Sequence, residues 1–230
     1  MPHSEAYERF LRSKQIGYAE WHDGTGYDLD AFAAMTPHER DEEARRAREA
    51  VSPDWRDLEL LGAHGGEQSI KHLRDLLTHP SIDTRAHALD VLIDRGHTPG
   101  AVPDVQLSHI INAIDNDDDE GLTMVLLLAQ DHAGPRSKLA LVRGILEKPA
   151  LSLHMASALL DLAGLSDDTA AFDPKFRPTL LRLLPDNAED DRVAAIQEIA
   201  RLLKIDISAL PEAGSGKDIA WADETWPRQW

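Results

Sequence analysis

The sequence predicts an all-α fold, an α-solenoid of stacked antiparallel helical hairpins behind an N-terminal helical cap. Three observations carry this. Apolar residues make up 42% of the 230 positions but aromatics only 5%, and the dominance of leucine and alanine favours helix over sheet. Apolar positions recur at i, i+3, i+4 along most of the chain, the period of a one-sided helix. Glycines at 96, 134 and 164 close successive segments at intervals of 38 and 30 residues, a rhythm that signals stacked supersecondary units.

Each element follows from its punctuation. Ser4 caps a first helix carrying Tyr7, Phe10 and Leu11 on one face. Residues 15–27 break the period with three glycines and four rings: Tyr18, Trp21, His22 and Tyr27. Asp28 caps a short turn through Leu29, Phe32 and Met35. Thr36, Pro37 and Glu39 then supply a cap, a first-turn proline and a capping-box glutamate for a charged helix to about Val51. From residue 52 hairpins are expected. The first pairs a helix opened by Ser52-Pro53 and closed at Gly65-Gly66 with one from Glu67 to Pro80. The second pairs 81–95 with 105–115, the third 118–132 with 135–148, and the fourth 150–163 with 174–184; a last helix over 188–204 caps the stack. The expected organisation is an N-terminal cap over 1–51, a solenoid over 52–204 and a tail over 205–230. The tail's Trp221, Trp226 and Trp230 either dock on the last helices or meet something else.

Two helices carry a sharper pattern. Residues 81–92 place Asp83, Arg85, small residues, then Leu89 and Leu92; residues 189–199 place Asp190, Arg192, Ala194, Ala195, Ile196 and Ile199. This resembles the HEAT-repeat helix, in which an Asp and an Arg order the turn between repeats and small residues admit the next helix. In the third and fourth units the Arg is absent, so those units rest on length and period. The resemblance covers at most residues 52–204 and implies a binding scaffold without naming a ligand.

Chemistry is constrained mainly by what is missing. With no cysteine, disulfides and thiolate metal sites are excluded, and a cytoplasmic location fits. No stretch has the length and apolarity of a membrane span. The net charge of −17, spread along both halves, opposes general nucleic-acid binding and suits a basic protein partner. Asp115 to Glu120 alternates carboxylates as a calcium loop does, but Glu120 stands where the turn glycine belongs and Leu126 where the last ligand belongs. His72 and His79 could share a helix face, yet His79 sits at a helix end, where imidazole commonly meets free carbonyls. Gly214 to Lys217 lacks the leading glycine and trailing hydroxyl of a phosphate loop. No cofactor or metal is expected.

Two segments remain as candidate partner-binding sites. The first is the loop carrying Trp21, His22, Asp23, Tyr27 and Asp28, because aromatics offer large contact area at low entropic cost; its rings could instead plug the open end of the stack. The second is the acidic turn Asp117, Asp118, Asp119 and Glu120, one of three such turns that a regular solenoid would align along one edge. The expected function is non-enzymatic: a protein-interaction scaffold, concretely an immunity-type inhibitor of a basic toxin. The alternatives are a DNA-processing or chromophore-modifying enzyme, which the family resemblance admits, and an adaptor subunit of a multiprotein complex.

Overall fold

The computed structural model describes residues 3–98, 100, 102–115, 121–165, 170–171 and 173–204, without the side chains of Trp21 and His22. The described residues are helical, with no strand among them, and form α1 (Glu5–Ser13), α2 (Tyr18–His22), α3 (Leu29–Ala34), α4 (Pro37–Arg48), α5 (Trp55–His64), α6 (Glu67–Leu76), α7 (Ile82–Asp94), α8 (Val102–Ala113), α9 (Leu122–His132), α10 (Pro135–Glu147), α11 (Ser152–Leu162), α12 (Arg177–Leu181) and α13 (Glu189–Leu203). None is long and apolar enough to cross a membrane. They fall into two compact units, one of residues 1–114 with 119–137 and one of 115–118 with 138–230.

Local caps set most boundaries in the first unit. Ser4 Oγ accepts from the Tyr7 amide, Ser81 caps α7, and Thr36 with Glu39 forms a full capping box on α4. Glu39 also accepts from the amide and hydroxyl of Ser4, both at 2.8 Å, so one carboxylate joins the starts of α1 and α4. Gly65 and Gly96 end their helices in the left-handed conformation. The start of α5 differs from the expectation. Helix begins at Trp55, not at Ser52-Pro53, because the Asp54 carboxylate accepts from the Arg56 amide at 3.0 Å and the Asp57 side chain answers the Asp54 amide. The start of α9 is also later than expected. Gly121, in the left-handed region, precedes it, and a side chain there would meet the Asp83 backbone nitrogen at 2.5 Å.

Packing in this unit is orderly. Each helix from α4 to α8 touches the next, while α3, α5, α7 and α9 form a row in which each touches its neighbour, and α4 touches α6. Within the row α5, α7 and α9 run side by side in the same direction. Trp55 stacks on His87, ring centroids 6.4 Å apart, and seven residues further along α5 Gly62 lies against Val91. Gly121 lies against Asp83 in the same way, so α7 and α9 share their N-terminal level. The core is Leu58, Leu61, Leu73, Leu89, Leu92, Leu107 and Ile111, all essentially inaccessible; burial of each contributes about 1.5–3 kcal/mol. Of the segment expected as an N-terminal cap, α3 and α4 both lie on α5. Under α1, the carboxylate of Glu43, only 1% exposed, accepts from Tyr7 Oη (3.0 Å), Lys14 Nζ (2.8 Å) and Arg46 Nη1 (2.6 Å).

In the second unit α11 packs on α12 and α13, and α12 packs on α13. The helix expected over 174–184 is reduced to the five residues of α12. Pro178 offers no amide, the chain beyond Leu181 tightens into bonds from Leu183 to Leu180 and from Leu184 to Leu181, and Pro185 disfavours a helical Leu184. Ser152 Oγ lies 2.7 Å from the Leu183 carbonyl and holds this segment to α11. Glu198 on α13 accepts from Thr179 Oγ1 at 3.0 Å and from Arg182.

Candidate functional site

The aromatic loop is attached to α5 and α1 by its second half. Gly26 lies on the Trp55 ring and beside Glu59; a methyl group there would sit 3.7 Å from Trp55 and 3.1 Å from Glu59 Oε2. Tyr27 packs edge-on to Phe10 (5.6 Å), under the Arg56 guanidinium (4.8 Å), and its hydroxyl donates to Asp57 at 3.0 Å. Burial first, then the Asp57 carboxylate, pushes its phenol well above the ordinary value. Asp28 caps α3 through the Ala31 amide (2.8 Å) and receives Arg9 through two bonds of 2.5 and 2.8 Å. These bonds, Arg9 first, hold its carboxyl at about 2. Tyr27 and Asp28, expected at a partner surface, are thus held by the chain's own groups. Tyr18, 76% exposed, and Asp23 face solvent. The side chains of Trp21 and His22 lie outside the described set, as do Asp117, Asp118, Asp119 and Glu120 of the acidic turn and the three tail tryptophans.

The row of helices brings together a second group that no local motif announces. On its outward side Trp55 and Glu59 of α5 lie beside His87 and Asp90 of α7, and Asp94 follows Asp90 by one turn. From α9, Asp131 and His132 are close enough to act electrostatically on Asp90. Burial raises the Glu59 carboxyl, and Asp90 raises it further while Arg95 opposes. Burial likewise raises Asp90, followed by Asp94, with His87 and His132 opposing. Glu59, Asp90, Asp94 and Asp131 form no ion pair among the described residues. By contrast, Glu42, Glu43, Glu49, Asp54, Asp75, Glu147 and Glu198 each meet a Lys or Arg. No three metal-ligating side chains converge among the described residues. The carboxylates are therefore spread over a face and not gathered around an ion.

One constellation has the order of a catalytic relay. His64 lies 2.9 Å from Ser69 Oγ through Nδ1 and 3.0 Å from Asp41 Oδ1 through Nε2. Ser69, however, is 0% exposed and also accepts from Arg48 at 3.0 Å, so no substrate carbon can reach its hydroxyl. The bonds join α4, α5 and α6 and are structural. His79 is likewise accounted for, its Nδ1 accepting from the Ser81 amide at 3.2 Å. No family model, no curated protein and no solved structure matches this chain.

Proposed function

We propose that the chain is a non-enzymatic protein-interaction scaffold, a HEAT-like solenoid that binds a basic protein, in its concrete form an immunity-type inhibitor of a basic toxin acting in the cytoplasm. The observation that carries the reading is the row α5, α7, α9, whose helices present Glu59, Asp90, Asp94 and Asp131, none of them in an ion pair among the described residues, in a chain of net charge −17. Such a field steers a cationic partner and repels nucleic acid. The HEAT-like reading gains support from Arg85, whose guanidinium donates to the His79 carbonyl and braces the turn between α6 and α7. In α13 Arg192 is half-buried, and its Nε has no partner among the described residues. The enzyme alternative draws on no comparable feature, since Ser69 is sealed and the exposed face has the wrong sign for binding DNA.

The test is to recover the partner and examine its activity. The full chain, tagged and purified from its native cells, is expected to retain one basic protein at fixed stoichiometry. That protein expressed alone is expected to arrest growth, and co-expression of this chain to restore it. Recovery of a basic protein whose expression is harmless would overturn the inhibitor form and leave a scaffold. Recovery of acidic or neutral partners would overturn the reading itself.

A further inference from the structure

We propose that the outward face of α5, α7 and α9 docks a cationic amphipathic segment of a protein partner. Trp55 and Leu127 take its apolar side chains; Glu59, Asp90, Asp94 and Asp131 take its lysines and arginines. The proposal rests on the protein-binding reading above and assigns that reading a surface.

Leu127 is 51% exposed although Val125, Leu128 and Ala129 of the same helix are buried, so α9 keeps a large aliphatic side chain outside its core stripe. Leu127 and Asp131 are one turn apart and share a face of α9. The half-buried Trp55 is held at the other side of the row by its stack on His87 and by the Gly26 loop, which gives a fixed aromatic surface. Rigid aromatic and aliphatic anchors ringed by polar groups are the composition of a binding hot spot.

Charge decides the occupant. A second copy of this chain would bring the same excess of carboxylates, and a nucleic acid would bring phosphates. A single metal ion is not matched by acids that do not converge. Helices packed side by side lie roughly 8–10 Å apart and successive turns about 5.4 Å apart. Carboxylates on such a grid match lysines or arginines projecting from successive turns of one bound helix. Gly62 makes the grid possible, because its lack of a side chain lets Val91 of α7 close on α5.

The experiment is calorimetric titration of the full chain with a synthetic amphipathic helix of lysine and leucine at physiological salt. E59Q/D90N/D131N removes three of the face's four carboxylate charges. E8Q/D30N/E67Q removes the same charge from exposed positions elsewhere in the first unit, and L127A removes an anchor while leaving the charge. Circular dichroism confirms that each variant folds. The face triple is expected to weaken binding about tenfold or more, L127A about threefold, and the control triple less than about threefold. Equal losses in the two triples would overturn the surface assignment and leave a basic-partner reading based on net charge alone. Absence of peptide binding by the wild-type chain would overturn the docking proposal, and the scaffold reading would then stand or fall on the partner purification.

Discussion

Glu43 shows how one buried acid can organise several elements. Its carboxylate lies under α1 and answers Tyr7, Lys14 and Arg46 at once, so burial of the charge is offset by two cations and a hydroxyl. Removing the acid leaves those donors without an acceptor. E43A is therefore expected to lose about 1–3 kcal/mol of stability, measured by urea unfolding, the range being limited by solvent access to the two cations. Y7F, which deletes only one hydroxyl, is expected to lose about 1 kcal/mol. If E43A were no worse than Y7F, the network would contribute nothing beyond that single bond. Sequence alone placed Glu43 in a run of charged residues on a helix that looks solvated. Only the arrival of α1 over α4 buries it, and no local signal encodes that arrival.

At the scale of elements, two contacts fix how helices meet. Gly62 faces Val91, and a methyl group there would collide with Val91 Cγ1 in a row of rigid helices. G62A is expected to cost about 1–3 kcal/mol, and V91A in the same chain to recover part of it; additive losses in this double-mutant cycle would show that the two helices do not meet there. Gly144 meets Met155 in the second unit just as closely, but the thioether is flexible, so G144A is expected to be milder. The other contact is a cap supplied from a distance. Asp104, in the first turn of α8, accepts from the amides of Gly134 (3.0 Å), Arg136 (3.1 Å) and Ser137 (2.8 Å), and so caps α10. Burial raises its carboxyl, but the bonds from Ser137, Arg136 and Gly134 outweigh this and leave it below the ordinary value. Its contribution is therefore present above the unfolded pKa and is lost as the pH falls through the folded one. D104A is expected to cost about 1–2 kcal/mol at neutral pH, and the deficit is expected to shrink on acidification. A deficit independent of pH would mean that the carboxylate charge is not what caps α10.

The same distinction explains what was legible beforehand. The caps at Ser4 and Thr36 and the stops at Gly65, Gly96 and Gly164 are local chemistry within a few residues, and they were readable. Where two local signals lay side by side, as at Ser52-Pro53 and Asp54, the stronger acceptor won. The role of Asp104 depends on a helix some thirty residues away, and nothing in its neighbourhood reveals it. The aromatic loop was legible as a special segment. A recognition loop and a packed plug have the same composition, however, and only the partners of Tyr27 and Asp28 separate them. The face of α5, α7 and α9 was not legible at all, because its members come from three helices whose alignment is set by their packing on one another.

For the molecule as a whole, these groups pull stability in opposite directions with pH. Glu39 and Glu42 are held at about 2, the first chiefly by the Ser4 amide and the second by Arg45, and Asp28 is held there by Arg9. Such acids favour the folded state above their unfolded pKa, and the effect is lost as the pH falls toward about 2. Glu59 and Asp90 have the opposite sign. Their folded carboxyls are raised, so the folded chain holds their protons more tightly than the unfolded one, and stability declines as the pH climbs through the raised values. Stability is therefore expected to be greatest near the ordinary carboxylate range and to decline as the pH climbs above it, added salt reducing only the part of that decline that is repulsion and not burial. E59Q/D90N is expected to flatten that neutral limb and to stabilise the chain at pH 7 by on the order of 0.5 kcal/mol, while weakening its hold on a cationic peptide. The measurement is the urea midpoint of both chains from pH 4 to pH 8, at low and high salt. Parallel profiles would mean that the two acids carry no excess repulsion, and the face would then lose its electrostatic reason to seek a basic partner. Divergence on the neutral side of the ordinary carboxylate range, reduced by added salt, would show that part of the cost is a repulsion that a cationic ligand is suited to relieve.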